Sequence, residues 1–331
     1  MAISEFRAAL NQLASERSIK PEDVIASLQE AVIAAYKKDH EVSEEDEGKL
    51  SVKIDDETGE IRVYLEKKDV TPVGFGRIAS QTAKQVILQK VREVEKESIA
   101  SEYRELIGTI TQGYIFRRDR DEVVLDLGKT HGSMPFSEQI PSEDYSVNMK
   151  YKVLIKDVTK NEGASSAVIV SRKDPMLITA LFKEEVPEME KGTVKIESIA
   201  REAGSRTKVA VSSNDPKIDP SGACIGQRGV RVQAVTDELN GEKIDIINYS
   251  PDPDRFIAAA LSPAHVIDVV LDPETKSALV RVSSDQQSLA IGDGGQNARL
   301  AAKLTGWKIT VEGSDTSFTE NPEDNSSDIS A

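Results

Sequence analysis

Two short stretches hold residue types able to do chemistry at an unusual spacing. "GACIGQRGVRVQAV", from Gly222, sets Gly226 and Gly229 three apart between apolar segments, and "SLAIGDGGQNARLAAKL", from Ser288, repeats the pair as Gly292 and Gly295. Glycine has no Cβ, so a phosphate can approach the backbone there, and the N–H groups that open the next helix point outward as anion donors. A lone pair of this kind usually serves backbone geometry alone. Recurrence in the same sequence context is what points to use. In the first stretch Gln227 and Arg228 lie inside the loop and Arg231 follows one turn later, adding charge suited to phosphate. The second departs from it: Asp293 stands at the Gln227 position and Gly294 at the Arg228 position, leaving Asn297 and Arg299 on the following helix to compensate. Asp293 has two readings, an acid beside phosphate or a cap for the helix through its carboxylate.

Little else has the look of a reactive centre. His40, His131 and His265 are scattered without Cys, Asp or Glu at metal-ligand spacing, so no metal and no cofactor is expected. Cys224 alternates with Ile225 and has no histidine companion, which makes it a packing residue and not a nucleophile. Trp307 precedes an apolar strand and reads as packing. No catalytic residue is expected, and the chain is read as a non-enzyme.

The chain has 331 residues with a net charge of −15, room for two to four domains but no bulk polycation that would coat nucleic acid. Residues 1–107 carry 16 basic and 22 acidic side chains, whereas 108–173 carry 10 and 9. The middle of the chain is therefore the less acidic part. A single cysteine excludes an internal disulfide, and the opening residues lack both a basic and an apolar targeting segment, so a cytoplasmic location is expected. No apolar run is long enough to span a bilayer, and no membrane partner is expected.

The elements that would position the glycine pairs follow from periodicity. "ISEFRAALNQLASER" and "IKPEDVIASLQEAVIAAYKK" have helical spacing, "KLSVKID" and "EIRVYLEKK" alternate as a hairpin around "DETG", and a long helix is expected from Ala79 with a stripe at Val86, Ile87, Val91 and Val94. "GTITQGYIF", "EVVLDLG", "HGSMPF", "YKVLIKDVT" and "SSAVIVSR" read as five short strands, the look of a small barrel with the OB-fold as leading candidate. From Asp174 the order is helix, strand, strand, glycine pair, helix, strand, and then it repeats. The polar, acidic tail from Gly313 is expected to be disordered.

The repeated order is that of the type II KH domain, whose loop clamps the sugar-phosphate chain of single-stranded nucleotides while bases lie in an apolar groove. The whole is expected to be α+β and multidomain: an N-terminal α+β domain at 1–106, an OB-fold barrel at 107–173, tandem type II KH domains at 174–249 and 250–312, and a tail at 313–331. In that order, and in "GRIASQTAKQVILQKVREVE", "DPMLITALFKEEVPEMEKGTVKIESIAREAGSRTKVAV", "DPSGACIGQRGVRVQAVTDELNGEKIDIINYSPDPDRFIAAALSPA" and "IGDGGQNARLAAKLTGW", the chain resembles the NusA family of bacterial transcription elongation and termination factors. The resemblance implies a monomeric factor that docks its first domain on core RNA polymerase near the β flap and RNA exit channel. It further implies that the barrel and KH pair receive nascent single-stranded RNA, that other Nus-type factors are partners, and that pausing, intrinsic termination and antitermination are modulated. Some members carry acidic C-terminal repeats, whose contacts are not expected of this chain's short tail.

The barrel looks like the ribosomal protein S-one type but lacks its usual aromatic pair, since "RRDRDE" follows Phe116. Tyr114, Phe116, Arg117, Arg118 and His131 are its RNA candidates, against the alternative that the aromatics only pack the barrel edge. Two rival readings remain: an RNA-processing enzyme, for which no catalytic domain is visible, and an RNA-binding protein of RNA processing or ribosome assembly that never meets polymerase.

Overall fold

The computed structural model describes residues 21–40, 48–55, 60–73, 75–159 and 167–314. The expected helix at the start of the chain and the tail after Ser314 lie outside the described residues. Two compact units are present, one made mainly of the chain up to Glu105, with Val158–Ala167 grouped with it, and one made of the rest of the chain from Leu106 onward.

In the first unit, helix α1 (Pro21–Asp39) opens with proline at a position that needs no backbone donor. Strands β1 (Leu50–Ile54), β2 (Ile61–Leu65) and β3 (Lys68–Asp69) form an antiparallel sheet in that order, with Val52 opposite Val63. Leu28, Val32 and Tyr36 of α1 pack with Val52, Ile61, Val63 and Phe75 as its core. Helix α2 (Phe75–Glu105) begins before the expected Ala79, because Phe75 is buried edge-on against Tyr36 and anchors the first turn. Of the expected stripe, Val94 alone is among the described side chains and is half-buried.

The second unit opens with β4 (Ile110–Arg118), β5 (Glu122–Asp126), β6 (His131–Pro135), β7 (Lys150–Thr159) and β8 (Ala167–Ser171), closed as a barrel in the order β4-β5-β6-β8-β7 with β6 and β8 parallel. Alternation along β4 turns Ile115 inward with Val123, Leu125, Met134 and Val153, and leaves Tyr114 and Phe116 outside.

The first KH module comprises α3 (Met176–Glu185), α4 (Pro187–Glu190), β9 (Val194–Glu202), β10 (Arg206–Ser213), α5 (Pro220–Ile225), α6 (Val230–Glu238) and β11 (Lys243–Asn248). The second comprises α7 (Pro253–Ala260), β12 (Val266–Asp272), β13 (Ser277–Ser283), α8 (Gln287–Ile291), α9 (Gln296–Thr305) and β14 (Lys308–Ser314). In each, the middle strand pairs antiparallel with the strand before it and parallel with the strand after it. Strand β14 passes the expected boundary at 312: Gly313 lies opposite Val282 and Ser314 opposite Ser283. On β13, Arg281 reaches Asp268 at 3.4 Å and Glu312 at 3.6 Å, linking all three strands on one face.

These modules share their interiors. Ala200, Ala210 and Ile247 of the first KH sheet belong to one apolar core with Phe256, Ile257, Leu300 and Leu304 of the second module. Ser198 Oγ donates to the Leu304 carbonyl at 3.1 Å and Lys208 Nζ to the Ser262 carbonyl at 2.8 Å across the same seam. Leu154 of the barrel joins the core of the first KH module. Between those two, Arg172 is fully buried. Its guanidinium pairs with Glu143, donates to the Lys152 carbonyl at 2.8 Å, and reaches both the Glu238 carboxylate at 3.2 Å and the Glu238 carbonyl at 2.8 Å. Burial works against the charge of Arg172, but hydrogen bonds and charge from Glu143, with Glu238 behind them, outweigh it and raise its pKa.

Replacing Arg172 with Met leaves the Glu143 carboxylate buried without its partner. We expect the second unit to lose about 3 kcal/mol or more, read by urea denaturation with the single tryptophan, Trp307, as reporter.

Candidate nucleic-acid interface

The two glycine loops are the same structure built twice. Gly226 takes φ 75°, ψ 174° and Gly292 φ 76°, ψ 172°; Arg228 and Gly294 both take φ 54°, ψ 24°; Gly229 takes φ 79°, ψ 11° and Gly295 φ 75°, ψ 15°. Each last glycine donates its N–H to the carbonyl of the first at 3.1 Å. The first position admits nothing larger than hydrogen, because a Cβ on Gly292 would lie 2.8 Å from the Asn297 backbone nitrogen and one on Gly226 2.8 Å from Arg231 Cγ. No side chain caps α6 or α9, so their opening N–H groups gain no partner of that kind. Asp293 is exposed and is not the helix cap that one reading of the sequence allowed.

Two expected RNA contacts are tied into the fold, Asn297 by burial and Arg231 by bonds that leave it half-exposed. Asn297 is 3% exposed, and its Nδ2 donates to the carbonyls of Leu261, Leu289 and Ala290 at 2.9, 3.2 and 3.2 Å. It is a core latch and not a surface ligand. Arg231 occupies the same place in the first loop: its Nη1 donates to the Ala223 carbonyl at 2.6 Å and pairs with Glu188 at 3.1 Å. Both residues tie the helix after the loop to the helix before it. Sequence spacing could not separate them from outward-facing neighbours, because the direction depends on the missing Cβ of the first glycine. Cys224 lies in the core beneath the first loop, with burial pushing its thiol up to about 12, which fits a packing role.

The remaining loop residues stay outside. Gln227 and Arg228 are exposed in the first loop. Arg299 is half-exposed beside the second but engaged: Nε and Nη2 donate to Glu202 Oε1 and Oε2 at 2.6 and 3.1 Å, and Nη1 donates to the Gly294 carbonyl at 3.0 Å.

On the barrel, Tyr114 and Phe116 are 52% and 56% exposed on the outer face of β4. Phe116 meets the ring of exposed His131 at 4.8 Å between centroids, and Lys150 Nζ sits 5.9 Å above the Tyr114 ring. The structure thus brings three of the five barrel candidates into one aromatic face and adds Lys150. Its place opposite Tyr114 comes from the β4–β7 register, which local sequence does not reveal. Arg118 is exposed, while Arg117 is held by Asp119 at 2.9 Å and Glu122 at 3.5 Å. Such a face can stack bases, and the loops can meet phosphates.

Residues 5–73 and 67–97 match the NusA N-terminal domain model, 172–249 the NusA-like first KH domain and 253–318 the NusA-like second KH domain. A Bacillus subtilis protein, "Transcription termination/antitermination protein NusA", is 42% identical over 93% of this chain and 91% of its own length. The chain belongs to the NusA family. The Thermus thermophilus NusA is 41% identical over 93% of this chain and 89% of its own, and the Borreliella burgdorferi NusA 37% identical over 91% and 68%. A role in transcription elongation and termination is the function that NusA membership carries. Among the described residues no group of three or more His, Cys, Asp or Glu could hold a metal ion, and no helix is long and apolar enough to cross a membrane.

The loop geometry separates two substitutions. Gly292→Ala meets backbone atoms and a glycine-only conformation, so it should cost about 1–3 kcal/mol. Gly294→Arg enters open space with the torsions that Arg228 already tolerates, so it should cost about 1 kcal/mol. Urea denaturation of both variants checks the order.

Hydrogen bonds from Arg299 and then Gln296 hold the Glu202 carboxyl at about 2, below its ordinary 4.5. A depressed folded value stabilises above the unfolded one and is lost as pH falls through the folded one. The thermal midpoint of the native chain should therefore exceed that of Glu202→Gln above pH 4.5, with the difference shrinking towards pH 2.

Proposed function

We propose that this chain is a non-enzymatic cytoplasmic factor that binds core RNA polymerase through its first unit and nascent single-stranded RNA through the barrel face and the first glycine loop. In this way it modulates pausing, intrinsic termination and antitermination. The observation that carries the RNA assignment is the duplicated loop with its opening N–H groups, joined in one unit to the Tyr114–Phe116–His131 face. A phosphate over the first loop meets backbone donors and the exposed Arg228, while bases lie on apolar and aromatic surface. Placement of the first unit at the β flap and RNA exit region, action as a monomer, and contact with other Nus-type factors rest on the family likeness. Their support is the match of residues 5–97 to the N-terminal domain model.

Gly229→Asp sets a carboxylate where phosphate would lie, at a position whose side chain meets only Val232 at 4.0 Å. Affinity for a short single-stranded RNA should fall at least tenfold, while coelution of the full chain with core polymerase stays unchanged. Unaltered RNA affinity would remove the loop from the RNA path, and failure of the native chain to coelute would remove polymerase as partner.

A further inference from the structure

The cation beside the second loop is in the hands of an acid from the other KH module. Arg299 stands one turn into α9, anchored to the loop by its bond to the Gly294 carbonyl. The rest of its fork faces Glu202, at the end of β9 in the first module, with both carboxylate oxygens engaged at 2.6 and 3.1 Å. Gln296, the first residue of α9, donates to Glu202 Oε2 at 2.8 Å and to Ser205 Oγ at 2.8 Å, so the acid is held from two sides. A carboxylate bound bidentately presents to a guanidinium what two oxygens of a phosphate present. The Arg299 side chain is 47% exposed, so solvent and a phosphate can reach it.

Among the described residues, no acid arrives beside the first loop from another module; Arg231 is paired with Glu188 of its own module. Gln233 stands where the second module has Arg299 and bonds Asp237 on its own helix, while the loop cation Arg228 projects from the turn itself. The backbones of the two loops agree within a few degrees, so their difference is electrostatic. With Asp293 exposed and Arg299 matched by Glu202, the second loop offers phosphate only its N–H groups.

We infer that Glu202 is an intramolecular stand-in for phosphate that withholds Arg299 from RNA, so that the second KH loop binds the RNA backbone weakly and releases it readily. An RNA phosphate that takes Arg299 has first to break its two hydrogen bonds to Glu202, so it can compete for the guanidinium but gains little by the exchange. Glu202 is thus a positioning residue acting through Arg299. The inference rests on the RNA-binding reading above.

The test is a double-mutant cycle on the full chain with a short single-stranded RNA of mixed sequence, titrated at several salt concentrations. Glu202→Gln keeps a hydrogen-bond acceptor but removes the charge. It should bind roughly three- to tenfold tighter at low salt, with the slope of log affinity against log salt steeper by up to ~0.7, as one more phosphate is neutralised. Arg299→Met alone should change affinity little, and in the Glu202→Gln background it should erase the gain and restore the slope. Glu202→Ser, which cannot bridge to Gln296, should show the same gain if Glu202 acts by charge. An unchanged or weaker affinity in Glu202→Gln, with circular dichroism showing the variant folded at the temperature of the titration, overturns the inference. So does a gain that survives Arg299→Met. Gly229→Asp is the control: if it loses RNA binding while Glu202→Gln shows no gain, the brake fails and the RNA reading stands, whereas if it binds normally the RNA reading itself fails.

Discussion

A guanidinium with no access to water fixes the architecture around the RNA face. Arg172 lies at the end of the barrel's last strand, and its partners come from the barrel loop at Glu143, from β7 at Lys152 and from the end of α6 at Glu238. Because α6 is the helix that the first glycine loop opens, the barrel and the loop are indexed to one another through a single side chain. A buried charge tolerates no partial arrangement: every donor has to find its acceptor, or the cost of desolvation is left uncompensated. That requirement selects one relative placement of the two modules, which the apolar contact of Leu154 alone would leave less specific.

The second seam works differently. The back of the first KH sheet is apolar at Ala200, Ala210 and Ile247, and the helices of the second module cover it. A charge that enters it is paired: Lys208, fully buried, donates to Ser262 at 2.8 Å and meets Asp245 at 3.1 Å, with burial lowering its pKa against the pull of that acid. Barrel, first KH and second KH are thereby coupled in series through two apolar cores that both draw on the first KH sheet, and the loops inherit fixed places on them.

Much of this was open to reading from the residues. Period-two alternation marks β4 and β13, and "RTKVAVSS" covers the observed strand Arg206–Ser213. The repeat itself was visible because both copies need glycine at the same left-handed torsions, a constraint that leaves its mark on composition. The illegible parts are those where a residue's class misleads. Arg172, Lys208 and Glu242 are fully buried, though local pattern places charge on the surface. Asn297 and Arg231 sit where polar residues would face solvent, and their inward turn is decided by contacts with the preceding helix. Helix α5 spans only six residues, with Gly222 inside it, and is defined by the Asp219 cap more than by periodicity. Lys150 reached the aromatic face through strand register, a non-local quantity.

The strand pairing also says how far this array can grow. Matching the registers of the two sheets sets Asp268, Arg281 and Glu312 of the second module at the places held by Ser198, Ala210 and Ile247 in the first. Ala210 and Ile247 are the surface on which the next module is seated. In the second module the corresponding trio is an ion-paired ladder, and seating another module there would strip water from three charges. A solenoid of repeats needs a terminal unit whose outer face is polar, and the second KH module has the outer face of such a unit: it accepts stacking on one side, and on this face ion-paired charges would have to be stripped of water before a like module could be seated.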